Sequence, residues 1–252
     1  MFLSDKRIAD GRTFWDENRA TLARAEARYG VPPEYIVAII GVETFYGRNV
    51  GKWRVVDALT TLAFDYPPRA AFFRDELVNY LLLAREDGFD VFSLRGSYAG
   101  AIGIPQFIPS SIRRYAIDFD GDGKVDLPGS KPDAIGSVAN FLREHGWQSG
   151  ADVLFDARVS GEAWQPFADG TVDAKHPIGA LIAAGVEPVN LPPALAAERA
   201  ALIELPTPER AAEYRIGLKN FWVLTRYNRS AFYASAVADL ARELRKNQEA
   251  GR

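Results

Sequence analysis

Cysteine is absent from the chain. That excludes disulfides, a thiol nucleophile and thiolate-bound zinc. Histidine is scarce, and His145 and His176 lie far apart with no second histidine at helical spacing from either, so neither has the setting of a metal ligand. No Ser-His-Asp arrangement is visible, and the segment Gly41-Val42-Glu43-Thr44-Phe45 lacks the G-x-S-x-G elbow of a serine hydrolase. No apolar run is long enough to span a membrane. The first residues, Met1 to Lys6, lack the apolar stretch of ~7–15 residues that marks a signal peptide. Basic residues occur only in small groups such as Arg113-Arg114 and Arg245-Lys246, and the net charge is −3. Nucleic acid, which needs clustered cations to neutralise phosphates, is therefore not an expected partner.

What is present is an ordinary globular composition, 48% apolar and 25% charged over 252 residues. That is enough for one large domain or two small ones. Thr13 can cap a helix reaching Tyr29, with Gly30 as its stop. Pro33 sits at the first turn of a second helix through Val42. Further helices are predicted over 55–64, 69–85, 109–115 and 134–145. Residues 93–104 and 118–133 read as Gly-rich loops. Near Gly150 the pattern changes: 152–160 alternates as a strand, and short β candidates follow at 202–205 and 213–224. A last helix is expected from about Ser230 to Lys246. The expected architecture is mainly α with some β (α+β): a helical body over 1–150, a smaller mixed β segment over 151–229, and a C-terminal helix, 230–252, packing back on the body.

Four segments carry possible chemistry. Glu43 shares a helix face with Ile36, Ile39, Ile40 and Tyr46 by i, i+3, i+4 spacing. A carboxyl among such side chains loses hydration, its pKa rises, and it can serve as a general acid; a Glu at the rim of the face, paired with an Arg, fits the same position. The stretch GSYAGAIGIPQ, 96–106, combines glycines that allow close approach with neutral donors and acceptors on Ser97 and Gln106, although a tight connection between helices would look alike. DFDGDGKVD places Asp118, Asp120 and Asp122 at positions 1, 3 and 5 of a calcium loop, Gly123 at 6 and the Lys124 carbonyl at 7, although a solvated acidic turn would carry the same residues. Position 12 is Gly129 instead of Glu, and the next acid after Asp126 is Asp133. Finally, Tyr227, Asn228 and Tyr233 set two aromatics and an amide beside a helix start, suited either to carbohydrate or to core packing.

These motifs occur in an order that resembles the lytic murein transglycosylase B family: GVETFYG, GSYAGAIGIPQFIPSS, DFDGDGKVDL, AIGSVANFL and RYNRSAFYASAV, spanning about Phe14 to Val237. The resemblance implies a goose-type-lysozyme-like helical core, an additional helical N-terminal part and a small mixed β segment. It implies cleavage of the β-1,4 bond between N-acetylmuramic acid and N-acetylglucosamine in peptidoglycan, leaving 1,6-anhydromuramoyl ends. The catalytic acid then falls on Glu43, and substrate contacts fall on Ser97, Tyr98, Gln106, Tyr227, Asn228, Tyr233 and Arg69. A structural calcium falls on Asp118, Asp120, Asp122, Lys124 and Asp133, with no cofactor for catalysis. The expected partners are peptidoglycan glycan strands, and the expected location is the periplasm or cell envelope, with no lipid-anchor Cys in the chain. Phe141 stands where the family is expected to carry a substrate-facing Tyr. Competing readings are a hydrolase, for which Asp57 or Asp65 would be the second carboxylate, a non-catalytic glycan binder, and a calcium-responsive regulator.

Overall fold

The computed structural model describes residues 3–208 and 210–250, with the side chains of 247–250 excepted. The chain divides into two compact units: residues up to Glu144 together with those from Leu240 on, and His145–Asp239. The division thus falls at Glu144, before Gly150.

The first unit is helical. It contains α1 (Asp5–Glu17), α2 (Arg19–Tyr29), α3 (Pro33–Thr44), α4 (Val55–Asp65), α5 (Ala70–Asp87), α6 (Pro109–Tyr115) and α7 (Lys131–Glu144). One helix was expected from Thr13 to Tyr29; instead α1 starts at Asp5, capped by the Ser4 side chain, and breaks at Asn18. Buried Asn18 marks the break: it leaves helical geometry at φ −115°, ψ 17°, and its side-chain amide donates to the Phe14 carbonyl (2.7 Å), which its own N–H also reaches (3.2 Å). Thr13 is therefore a mid-helix residue, bonded back to the Ala9 carbonyl. Gly30 ends α2 in the left-handed region, as expected.

Helix α3 is the centre of this unit. Ile36, Val37, Ala38, Ile39 and Ile40 are all fully buried, and a helix apolar on every side must be enclosed on every side. It meets α1, α2 and α7. Glycines make room around it: a Cβ on either Gly11 or Gly41 would collide with the Tyr46 ring. From the last helix, α10 (Ala231–Ala250), buried Leu244 reaches Gly11 and Arg245 lies 3.8 Å from Glu34.

The second unit is built on an antiparallel sheet in the order β4-β6-β7-β3-β5, from β3 (Leu154–Val159), β4 (His176–Pro177), β5 (Val186–Pro188), β6 (Arg199–Leu205) and β7 (Glu213–Gly217). Ile178 and Leu181 of the short helix α8 (Ile178–Ala183) pack with Val186, Ala200, Leu202, Ile216 and Leu218 in its core. The strand expected over 213–224 stops at Gly217, and Lys219–Tyr227 forms a helix, α9. Phe221, Val223 and Leu224 are buried there, and they recur at helical spacing.

Candidate active site

Helix α3 ends abruptly beside its one acid in the last turn. Phe45, Tyr46 and Gly47 have φ of 53°, 62° and 84°. Two consecutive non-glycine residues in the left-handed region are costly and persist only where their surroundings hold them. Two anchors do so here. The Tyr46 hydroxyl donates to the Arg7 carbonyl (2.9 Å), and buried Thr44 accepts from Gly47 N (3.0 Å) while donating to the Ile104 carbonyl (2.9 Å). Glu43 is half-buried at the end of this helix, whereas Ile36, Ile39 and Ile40 are fully buried. Tyr46, expected on the same helical face, lies beyond the helix and is carried into the core by the turn.

The Thr44–Ile104 bond brings the Gly-rich segment to this turn. That segment is a folded ribbon, with Ile102 and Phe107 exchanging backbone bonds (2.8 and 3.2 Å) and Ser97 N donating to the Ala101 carbonyl (2.8 Å). The strand following the turn, β1 (Trp53–Arg54), pairs with β2 (Arg95–Gly96). Gly51, at φ 96°, lets the two backbones touch: a Cβ there would overlap the Gly96 carbonyl. Gln106, itself at φ 53°, donates from Nε2 to the carbonyls of Val50 (3.2 Å) and Gly103 (2.9 Å). Both amide hydrogens are thereby used, and Oε1 is left to accept from a ligand. Ser97 is the converse: its Oγ accepts from Ala99 N (3.3 Å) and Ala101 N (3.0 Å), so its hydroxyl hydrogen is left to donate. The sequence thus brings Glu43, Ser97 and Gln106 onto one framework. Tyr98 is 75% exposed beside them.

The acidic loop backs the same framework. Ile104 N donates to the Leu127 carbonyl (2.9 Å). Carboxylate oxygens of Asp118, Asp120 and Asp122 lie within 4.8 Å of one another. Asp118 accepts from Gly121 N (2.6 Å), Asp122 N (3.2 Å) and Gly123 N (2.8 Å). The Gly123 N–H foremost holds the Asp118 carboxyl below its ordinary range. Three gathered carboxylates with a pre-shaped loop suit a hard divalent cation. Asp133 is placed differently from the three. It is buried and stands outside their cluster, and its oxygens accept from Phe119 N (2.8 Å), Asp120 N (3.4 Å) and Asp126 N (2.8 Å).

Other expected residues stand apart from this framework or in the second unit. Arg69 is exposed, with its guanidinium 4.4 Å from the Phe72 ring. Phe141 is buried between Phe107 (5.5 Å) and Tyr115 (5.0 Å) and carries no hydroxyl to offer. Asp57 pairs with Arg54 (2.6 Å), and Asp65 is exposed at the end of α4. In the second unit Tyr227 and Tyr233 stack at 6.4 Å and 12°, with Asn228 exposed where α9 ends. Sequence reasoning missed Thr44, whose hydroxyl joins the two halves of the framework. Its signal was position alone, a hydroxyl residue directly after the candidate acid.

The geometry defines a mainly α protein with a half-buried carboxyl at the end of an enclosed helix, whose following turn is bonded to a ribbon of neutral hydrogen-bonding groups. The chain belongs to the transglycosylase SLT domain family, whose model matches residues 1–242. It is 45% identical over 239 residues to the membrane-bound lytic murein transglycosylase B of Escherichia coli (strain K12), covering 95% of this chain and 64% of that protein. The chain therefore spans less than two thirds of that relative. Its fold matches the crystal structure of soluble lytic transglycosylase SltB1 from Pseudomonas aeruginosa at a TM-score of 0.89 and 49% identity, covering 98% of this chain and 82% of the other. It also matches the Escherichia coli lytic transglycosylase Slt35 in complex with calcium at a TM-score of 0.86 and 43% identity, over 98% of this chain and 76% of that one.

Proposed function

We propose that the protein is a peptidoglycan lytic transglycosylase acting in the cell envelope, with Glu43 as its acid and then its base. The observation that carries this reading is the placement of half-buried Glu43 at a strained turn tied through Thr44 to the ribbon of Ser97 and Gln106. Protonated Glu43 gives its proton to the oxygen between N-acetylmuramic acid and N-acetylglucosamine, and that bond breaks. The resulting carboxylate takes the proton of the muramoyl C6 hydroxyl as that oxygen bonds to C1 and closes the 1,6-anhydro ring. One carboxyl serves both halves because the nucleophile comes from the substrate, where most glycosidases need a second carboxylate. Ser97 donates to the sugars and Gln106 accepts from them. Tyr98, Arg69, Tyr227, Asn228 and Tyr233 are assigned to the glycan and its peptide.

A calcium ion fits Asp118, Asp120 and Asp122, with the Lys124 carbonyl and Asp133 completing the set. Each carboxylate oxygen accepts up to two bonds, so the backbone bonds to Asp133 leave it capacity. The ion's part is to neutralise the loop; the steps above belong to Glu43 and the substrate. The test is mass spectrometry of digested peptidoglycan with the wild type and Glu43→Gln. We expect anhydromuropeptides, lighter by one water than hydrolytic products, from the wild type. Glu43→Gln should lose roughly 10²–10⁴-fold or more of the rate at an unchanged melting temperature. Reducing-end products would mean that water is the acceptor.

A further inference from the structure

The strand that follows the catalytic turn carries a tryptophan with no task in the reaction described above. Trp53 is 55% exposed. It stands opposite Gly96 in the β1–β2 pair, where the facing residue has no side chain to cover it. Apolar residues exposed singly are ordinary, but this one is on a rigid mount. The Gln106 amide grips Val50 (3.2 Å), Gly51 packs on Gly96, and the Arg95 guanidinium grips the Lys52 carbonyl (2.8 Å). The backbone under the indole therefore gives up little freedom when a ligand covers the ring. The residue after Gly96 is Ser97, so the strand pair that carries Trp53 runs directly into the ribbon on which Ser97 and Gln106 keep hydrogen-bonding capacity. The Lys52 ammonium lies 5.7 Å from the indole ring and makes no ion pair or hydrogen bond among the described residues.

We infer that Trp53 and Lys52 form a further saccharide subsite, extending the site along a glycan strand. The indole covers the C–H face of a pyranose ring, as aromatic platforms do for amphipathic rings. Lys52 then faces a carboxylate of the peptide carried by that sugar unit. The ammonium is exposed and hydrated, so a carboxylate adds modestly to binding without being required, which favours an acylated amino sugar bearing an acidic peptide over a neutral polysaccharide. The inference rests on the proposed glycan substrate.

The experiment measures both binding and turnover on peptide-bearing glycan strands of defined length, using the whole chain. Binding is measured with Glu43→Gln, alone and combined with Trp53→Ala, so that it does not depend on catalysis. Trp53→Ala is expected to weaken binding of long strands roughly five- to tenfold, with Trp53→Tyr recovering most of the loss. In the active protein the same change raises KM for long strands and leaves kcat within about twofold. Lys52→Ala is expected to weaken peptide-bearing strands more than strands stripped of peptide. Equal binding with and without Trp53 would overturn the subsite. So would a loss accompanied by a lowered melting temperature and not recovered by Trp53→Tyr, which marks a structural role. Strand binding that depends on Trp53, without release of anhydro products by the wild type, would support the subsite while refuting the proposed reaction.

Discussion

The two Gly-rich loops of the helical unit are built on opposite principles. The ribbon around residues 96–107 is held by backbone meeting backbone, and glycines in and beside it are present because there is no space: Gly51 lies against the main chain of Gly96, Gly96 against that of Ala101, and Gly103 against that of Leu127. The acidic loop is held by carboxylates receiving N–H groups. Its Gly121 and Gly123, at φ 82° and 91°, face nothing within 4 Å and serve only to turn the chain. The first loop is therefore rigid without help and positions uncharged groups. The second gathers negative charge that a cation would relieve. The two meet at Ile104, which donates to the Leu127 carbonyl and accepts from Thr44 at the turn after Glu43.

Glycine substitutions should separate these principles most sharply. Gly51→Ala is expected to cost about 2–4 kcal/mol, from overpacking against the Gly96 carbonyl together with the left-handed conformation. Gly121→Ala, with open space, should cost only the conformational part, about 1–2 kcal/mol. Denaturant unfolding of both variants checks this, and equal losses would erase the distinction between the loops. Calcium gives the next effect. At a hundredfold excess over Kd it should stabilise the wild type by about 2.7 kcal/mol, seen as a raised melting temperature that chelator reverses. Asp122→Ala should abolish the calcium response while leaving the Gly-rich ribbon formed. Identical melting curves in calcium and in chelator would count against the metal site.

Thr44→Val probes the junction itself. It keeps the shape but leaves the Gly47 N–H and the Ile104 carbonyl without their shared partner, at about 1–3 kcal/mol. We expect kcat to fall more than KM changes, because the turn that carries Glu43 would loosen; a stability loss with kcat intact would confine Thr44 to folding. The smallest effect is at alkaline pH. Burial pushes the Tyr46 phenol up strongly and the Tyr80 phenol up to about 12. A folded pKa raised above the unfolded value near 10 means stability is intact below pH 10 and is lost as pH rises through the folded values. Melting followed from pH 9 to 12 should show this decline, and Tyr46→Phe should flatten it. A decline that began near neutrality would point to other groups.

How much of this was legible in the residues differs by the range of the forces involved. The order of helices, the glycine stop at Gly30, the enclosed helix α3 and the spacing of Asp118, Asp120 and Asp122 follow from local periodicity and composition, which act within a few residues. The sequence also marked Glu43, Ser97 and Gln106 as groups of a suitable kind. It did not reveal the break at Asn18, because the apolar periodicity runs on through that residue and only its burial among the surrounding helices fixes the change of direction. Nor did it reveal that 219–227 is helical, since its aromatic and β-branched residues suit a strand as well as a helix until packing chooses. The left-handed turn after Glu43, the bond from Thr44 across to Ile104, the tight seat of Gly51 on Gly96 and the place of Asp133 outside the carboxylate triad all join residues distant in the chain. Such pairings depend on how whole elements fill space together, and only the tertiary structure could decide them.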